Sequence, residues 1–192
     1  MKIKSAEFIK GIVSDDERLR DDTPQVAFIG RSNVGKSSVI NTLTGRPLAR
    51  TSDTPGKTRE INLYLINKNF YLVDLPGYGF AKGSLEERNN IKSLIYSYLL
   101  FSDINHKNVV IIIDANVGVT ESDLYFIRRM EERGKNFIVV ANKIDKIKKS
   151  ELKTKLDKVR EAVKGHKLIL CSTKTRQGID ELMDEITKDE VK

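Results

Sequence analysis

The residues Gly30-Arg31-Ser32-Asn33-Val34-Gly35-Lys36-Ser37 have the types and spacing of a phosphate-binding loop, G-x-x-x-x-G-K-[ST]. They lie between an apolar run, QVAFI, and a helical pattern that places Val39, Ile40 and Leu43 on one side. That context gives the motif its meaning. Gly30 and Gly35 allow backbone N–H groups from Arg31 to Ser38 to turn inward around phosphate oxygens, and the helix that follows adds its positive end. Lys36 is expected to reach the β- and γ-phosphates and Ser37 to bind magnesium through its hydroxyl.

A second motif names the base. Asn142-Lys143-Ile144-Asp145 follows the apolar run FIVVA. A carboxylate at Asp145 can accept from both N1–H and the 2-amino group of guanine. Adenine offers neither donor there, and an unpaired polar group costs enough to discriminate strongly. Asn142 can bond the base edge or tie the loops together, and the stem of Lys143 can cover the base plane. Ser172, Thr173 and Lys174, after Cys171, fit a second guanine loop by position; Cys171 itself reads as a small buried residue.

A third motif, Asp74-Leu75-Pro76-Gly77, is D-x-x-G. Asp74 is expected to hold a magnesium-bound water and the Gly77 N–H to face the γ-phosphate. The polar stretch 45–59 should supply a threonine over the magnesium: Thr58 is the choice, with Thr54 as the alternative and Gly56 beside the nucleotide. Lys36, Thr58 and Gly77 are thus expected to be catalytic, and both loops should answer to the γ-phosphate.

These motifs need a frame. Strands are expected at Gln25–Ile29, Ile61–Ile66, Phe70–Val73, Val109–Ile113, Phe137–Ala141 and Lys167–Cys171, with a hairpin at Asn67-Lys68-Asn69. Helices are expected over Lys36–Leu43, Glu86–Phe101, Glu121–Arg133, Glu151 to about Lys164 with Ser150 as cap, and Ile179–Thr187. The alternation predicts an α/β fold, a mostly parallel sheet with helices on both faces and ligands beyond the carboxyl ends of its strands. Residues 1–24 read as an N-terminal arm and residues 25–190 as a single domain.

Composition sets outer bounds. The chain has 192 residues, 39% hydrophobic and 32% charged, with one cysteine and two histidines. An intrachain disulfide is excluded and a Cys/His metal centre disfavoured. No apolar run is long enough to cross a membrane, the N-terminus does not read as a signal peptide, and a cytoplasmic protein is expected. The net charge of +7 permits a polyanionic partner such as RNA. Two glutamines beside so many charges hint at a thermophilic source.

GRSNVGKSS, DLPG, NKID and CSTK in this order resemble the translation-factor-related GTPases. KSAEFIKG, PQVAFIGRSNVGKSSVINTL, TPGKTREIN and DLPGYGFAK sharpen this, over nearly the whole chain, to a resemblance to the EngB family of bacterial GTPases. The resemblance implies a Ras-like G domain with six strands, one of them antiparallel. It also implies GTP/GDP and magnesium as ligands, a precursor of the large (50S) ribosomal subunit, rRNA and protein, as partner, and a cytoplasmic monomer with no membrane contact. In related GRxNxGKS loops the asparagine holds potassium, so the resemblance implies K+ as a candidate ligand and adds Asn33, through it, to the expected catalytic residues.

Tyr78 stands where many GTPases place a water-orienting glutamine. Its ring is expected to point away from the phosphates and to act as a mobile switch or partner contact, leaving basal hydrolysis slow. Two other functions fit parts of the pattern: a P-loop kinase of a small molecule, which NKID opposes, and an RNA-binding module whose nucleotide is structural. His106 and His166 read as solvated surface residues. Lys146, Lys148 and Lys149, beside Lys143, form a basic face next to the base site.

Overall fold

The computed structural model describes residues 3–49, 59–79, 84–101 and 104–188. Seven strands form one sheet: β1 (Ala6–Ile12), β2 (Gln25–Gly30), β3 (Ile61–Ile66), β4 (Phe70–Asp74), β5 (His106–Asp114), β6 (Phe137–Asn142) and β7 (Leu168–Leu170). Their order is β1-β3-β4-β2-β5-β6-β7. β3 runs antiparallel to both its neighbours, and the remaining pairs are parallel.

The parallel strands are apolar along their central residues because helices cover both faces. One face carries α2 (Leu85–Tyr96), α3 (Glu121–Glu132) and α4 (Leu152–Ala162), which bring Ile95, Phe126, Met130 and Val159 against Ala27, Val73 and Ile111. The other carries α1 (Lys36–Thr44) and α5 (Ile179–Thr187), whose Val39, Ile40, Leu182 and Ile186 meet Phe28, Ile112 and Val140.

β2, β4, β5, β6 and β7 share one direction, so all five end on the same edge. Gly30, Asp74, Asp114 and Asn142 close four of these strands, and Cys171 follows the fifth. The predicted motifs therefore assemble along one rim.

Three local expectations are corrected. The stretch set apart as an arm contributes β1, a seventh strand that pairs with β3 and buries Ala6 and Ile12. The helix expected to run to Phe101 ends at Tyr96 and passes into a π-helical turn, Ser97–Phe101, that carries Tyr98 and Leu99 into the core. Ser150 does not cap α4; Glu151 holds that position, with no capping side-chain hydrogen bond.

Candidate functional site

The phosphate loop leaves β2 at Gly30, where backbone must pass close to backbone: a Cβ there would stand 2.4 Å from the Ile112 carbonyl oxygen. Gly35 takes φ 93°, the left-handed region natural to glycine, and opens α1. A Cβ on Gly35 would meet Asn142 Nδ2 at 2.5 Å, so the glycine also makes room for the base loop. Asn33 adopts φ 66°, and Arg31, Ser32 and Val34 complete the turn between strand and helix.

Lys36 is 7% exposed and Asp74 is 1% exposed, and the ammonium donates to Asp74 Oδ1. Ser37 Oγ lies 3.4 Å from the other carboxylate oxygen. A buried cation, a buried carboxylate and a hydroxyl thus share the space at the mouth of α1, with Ser38 in the next position. Gly77 closes over the loop: a Cβ there would be 3.0 Å from Ser32 N and from Ser32 Oγ.

The base side is cross-braced by side chains. Asn142 Nδ2 donates to the Val34 carbonyl at 2.9 Å, so Asn142 ties the loops together, one of its two expected roles. Its Oδ1 is buried without a hydrogen-bond partner among the described residues. Lys143, at φ 65°, donates to the Asn33 carbonyl and to Asp114 Oδ2, the latter at 2.8 Å. Ser172 Oγ donates to Asp145 Oδ1 at 2.6 Å, which aims the exposed carboxylate, and the Thr175 amide donates back to Ser172 Oγ at 3.2 Å. Thr173 and Lys174 follow on the same turn. Cys171 is fully buried, and burial raises its thiol to about 11, which suits a packing residue.

Thr58, its alternative Thr54, and Gly56 lie outside the described residues. Every other expected site residue stands on the rim. Two acidic residues there escaped the sequence reading. Asp114 closes β5 opposite Asn142 and steers Lys143. Asp123 is fully buried at the start of α3 and accepts from the Tyr78 hydroxyl at 2.7 Å. The pattern Thr120-x-x-Asp123 was the available signal, since it has the spacing of a helix capping box, and both of that box's bonds are present.

Tyr78 is accordingly not a surface contact. It is 6% exposed, its ring stacks on Phe126 at 4.3 Å, and burial, followed by the charge of Asp123, drives its phenol far above the ordinary range. The histidines also depart from expectation. His106 packs edge-on to Tyr98, receives a hydrogen bond from Lys135 at 3.2 Å, and is held down to about 4 by burial and by that lysine. His166 is partly buried against Phe137, with Nε2 2.6 Å from Glu131.

A family profile described as "50S ribosome-binding GTPase" matches residues 25–143, the stretch that carries the phosphate loop, DLPG and the start of NKID. A "Probable GTP-binding protein EngB" from Clostridium perfringens is 44% identical over 98% of both chains. The chain belongs to the EngB family of GTPases. A second member of the EngB family, from Acholeplasma laidlawii, is 42% identical over 96% of this chain and 97% of its own length. A solved structure of a probable EngB superposes with TM-score 0.69 at 29% identity, covering 84% of this chain and 96% of that one. The structure of NFeoB from S. thermophilus bound to GDP, AlF4− and K+ gives TM-score 0.62 at 26% identity, over 85% of this chain and 61% of that one. EngB membership makes the chain a GTP-binding protein with a hydrolytic G domain on a Ras-like sheet. Among the described residues no helix is long and apolar enough to cross a membrane.

Proposed function

We propose that this protein is a GTP-driven switch that assists assembly of the large ribosomal subunit, with its nucleotide on the rim described above. The observation that carries the reading is the convergence of Lys36, Ser37, Asp74 and Gly77 with the braced Asp145 on one sheet edge. Asp145 faces the N1–H and 2-amino donors of guanine, and Thr173 and Lys174 border the base. Lys36 neutralises charge on the β- and γ-phosphates, and the Gly77 amide donates to the γ-phosphate. A water oxygen attacks the γ-phosphorus, its bond to the bridging oxygen breaks, and GDP and phosphate leave.

The Ser37 hydroxyl and the Asp74 carboxylate are hard oxygen donors with the chemistry magnesium requires. They would hold it directly and through water, with Thr58 as third partner; bound there, Mg2+ would offset the phosphate charge. Tyr78 is anchored in apolar packing and cannot orient the attacking water as a glutamine does, which supports slow basal turnover. Asn33 is the candidate potassium ligand. Its support is the GRSNVGKSS sequence and the similarity to a structure that contains K+.

Lys146, Lys148 and Lys149 are exposed beside the base loop and offer rRNA a cationic face. The ribosomal partner is further supported by the name of the matching family. A cytoplasmic monomer is consistent with these roles.

The deciding experiment is co-sedimentation with large ribosomal subunits in GDP or a non-hydrolysable GTP analogue, beside turnover in matched potassium and sodium buffers. Association should require the analogue and weaken steeply with salt, and turnover should be faster in potassium. Association indifferent to nucleotide would overturn the switch; equal turnover in both salts would remove potassium.

A further inference from the structure

Asp123 does more in this fold than cap a helix. Its Oδ2 accepts from the Thr120 amide at 2.8 Å, a capping-box bond, and also from the Thr120 hydroxyl at 2.7 Å. Its Oδ1 is spent elsewhere, on the Tyr78 hydroxyl at 2.7 Å. Arg31 Nε lies 3.5 Å from Oδ2, an ion pair with a carboxylate that has no exposure at all. One buried carboxylate therefore joins α3 to two nucleotide loops.

The backbone shows what that junction controls. The Tyr78 amide donates to the Gly30 carbonyl at 3.2 Å, and the Ser32 amide donates to the Tyr78 carbonyl at 3.2 Å. Tyr78 and Arg31 thus form a one-residue parallel bridge between the D-x-x-G loop and the phosphate loop. Gly77 is the residue just before this bridge, and it makes the closest approach to Ser32. Backbone pairing that short is weak. Both side chains of the bridge end at Asp123, and the Tyr78 ring is stacked on Phe126 three residues along the same helix. A buried hydroxyl and a buried carboxylate are costly to separate without replacement partners, which fixes the bridge more firmly than its two backbone bonds could.

We propose that Asp123 is a positioning residue for the hydrolytic reaction. Acting through Tyr78, with Arg31 as the second tether, it sets the place of the Gly77 amide relative to the phosphate loop. The protein would thereby bind the γ-phosphate, and tell GTP from GDP, partly through a carboxylate on α3. This rests on the reading of Gly77 as the γ-phosphate donor. A cap alone would act on the stability of α3 and would leave that discrimination untouched.

The test compares the affinities of a non-hydrolysable GTP analogue and of GDP, together with kcat, for the parent, Tyr78→Phe, Asp123→Ala and the double variant. Tyr78→Phe removes one oxygen and keeps the stacking ring. It should weaken the analogue about fivefold to tenfold and lower kcat by a similar factor, leaving GDP within about twofold. In the Asp123→Ala background, Tyr78→Phe should have little further effect, because the two groups act as one unit. If Tyr78→Phe lowers Tm while analogue and GDP affinities fall together, or neither moves, Asp123 is a helix cap only and the proposal is overturned. Should Asp123→Ala fail to fold, Tyr78→Phe decides alone. A parent that binds neither nucleotide, or a Lys36→Ala variant that binds GTP as the parent does, would instead bring down the reading of the site itself.

Discussion

The two ends of the sheet treat buried polar groups in opposite ways. At the amino end, Gln25 Nε2 donates to the Leu19 carbonyl at 2.8 Å, and the Tyr98 hydroxyl donates to Gln25 Oε1 at 2.9 Å. His106 stands beside Gln25 in the β2–β5 register and is kept neutral. At the carboxyl end formal charges are buried, on Lys36, Asp74 and Asp123, beside the neutral Asn142 and Ser172. Unpartnered buried atoms occur at both ends among the described residues, His106 Nε2 at the amino end and Asn142 Oδ1 at the carboxyl end. One end joins neutral groups into a network that closes the fold. The other keeps formal charge where a polyphosphate can meet it. Charge buried at low dielectric is expensive, and a fold retains it where a ligand gives it work.

The sharpest way to break this contrast is Lys36→Ala. It removes charge-assisted contacts worth about 1.5–3 kcal/mol each, and nucleotide affinity should fall tenfold or more by titration. The Asp74 carboxylate is then buried without its cation, so the variant should also lose stability, up to about 3 kcal/mol. Adding Asp74→Asn should restore much of that stability but none of the affinity. A fully stable Lys36→Ala protein in denaturant melts would show that the pair is not buried in solution.

The amino end makes a pH prediction of comparable size. Unfolded, the His106 imidazole takes a proton near 6.5; folded, it resists to about 4. Its contribution is therefore whole above about pH 6.5 and is lost as pH falls toward 4, on the order of 2–3 kcal/mol at the bottom of that window. His106→Gln should flatten that part of the stability profile relative to the parent. Identical pH profiles for the two proteins would show that His106 is solvated after all.

Much of this contrast was legible in the sequence, and for unequal reasons. The carboxyl end announces itself because phosphate and guanine each demand particular residue types at fixed spacing. GRSNVGKS and NKID therefore single out Lys36, Asn142 and Asp145 from the sequence alone, and the structure brings all three to one rim. Asp123 was not legible in that way: a carboxylate three residues after a threonine signals a helix start wherever it occurs, and only the fold brings Tyr78 beneath it. His106 was misread because a histidine before an apolar strand looks like a loop residue until Tyr98 covers it. β1 was missed for a related reason. AEFIKGI carries Glu7 and Lys10 because it pairs on one side only, and Phe8 remains 53% exposed, so the burial pattern of a central strand is absent.

The smallest expected effect on the fold belongs to Asp145→Asn. The carboxylate is exposed and, among the described residues, leans only on the Ser172 hydroxyl, so stability should change by less than about 0.5 kcal/mol. Its effect lies in selectivity: GTP affinity should drop at least about tenfold, roughly 1.4 kcal/mol, while xanthosine nucleotides gain, because their 2-oxo group meets a donor amide. Equal GTP binding by variant and parent would remove Asp145 from the base site.

The sheet order also has a bearing on how the chain comes to be folded. Among the described residues, β3 and β4 are the one pair of strands joined by a tight turn, Asn67-Lys68-Asn69. β1, made first, finds its partner only when Ile61–Ile66 has emerged, and β2 waits for His106–Asp114 as well as for Phe70–Asp74. A nascent chain stopped before residue 61 holds β1 and β2 with no strand for either to pair with in the native sheet. The hairpin is thus the natural seed of the sheet, because it closes the shortest loop. Order of synthesis and order of assembly then run differently, with the first strand made recruited to an edge that later residues must build.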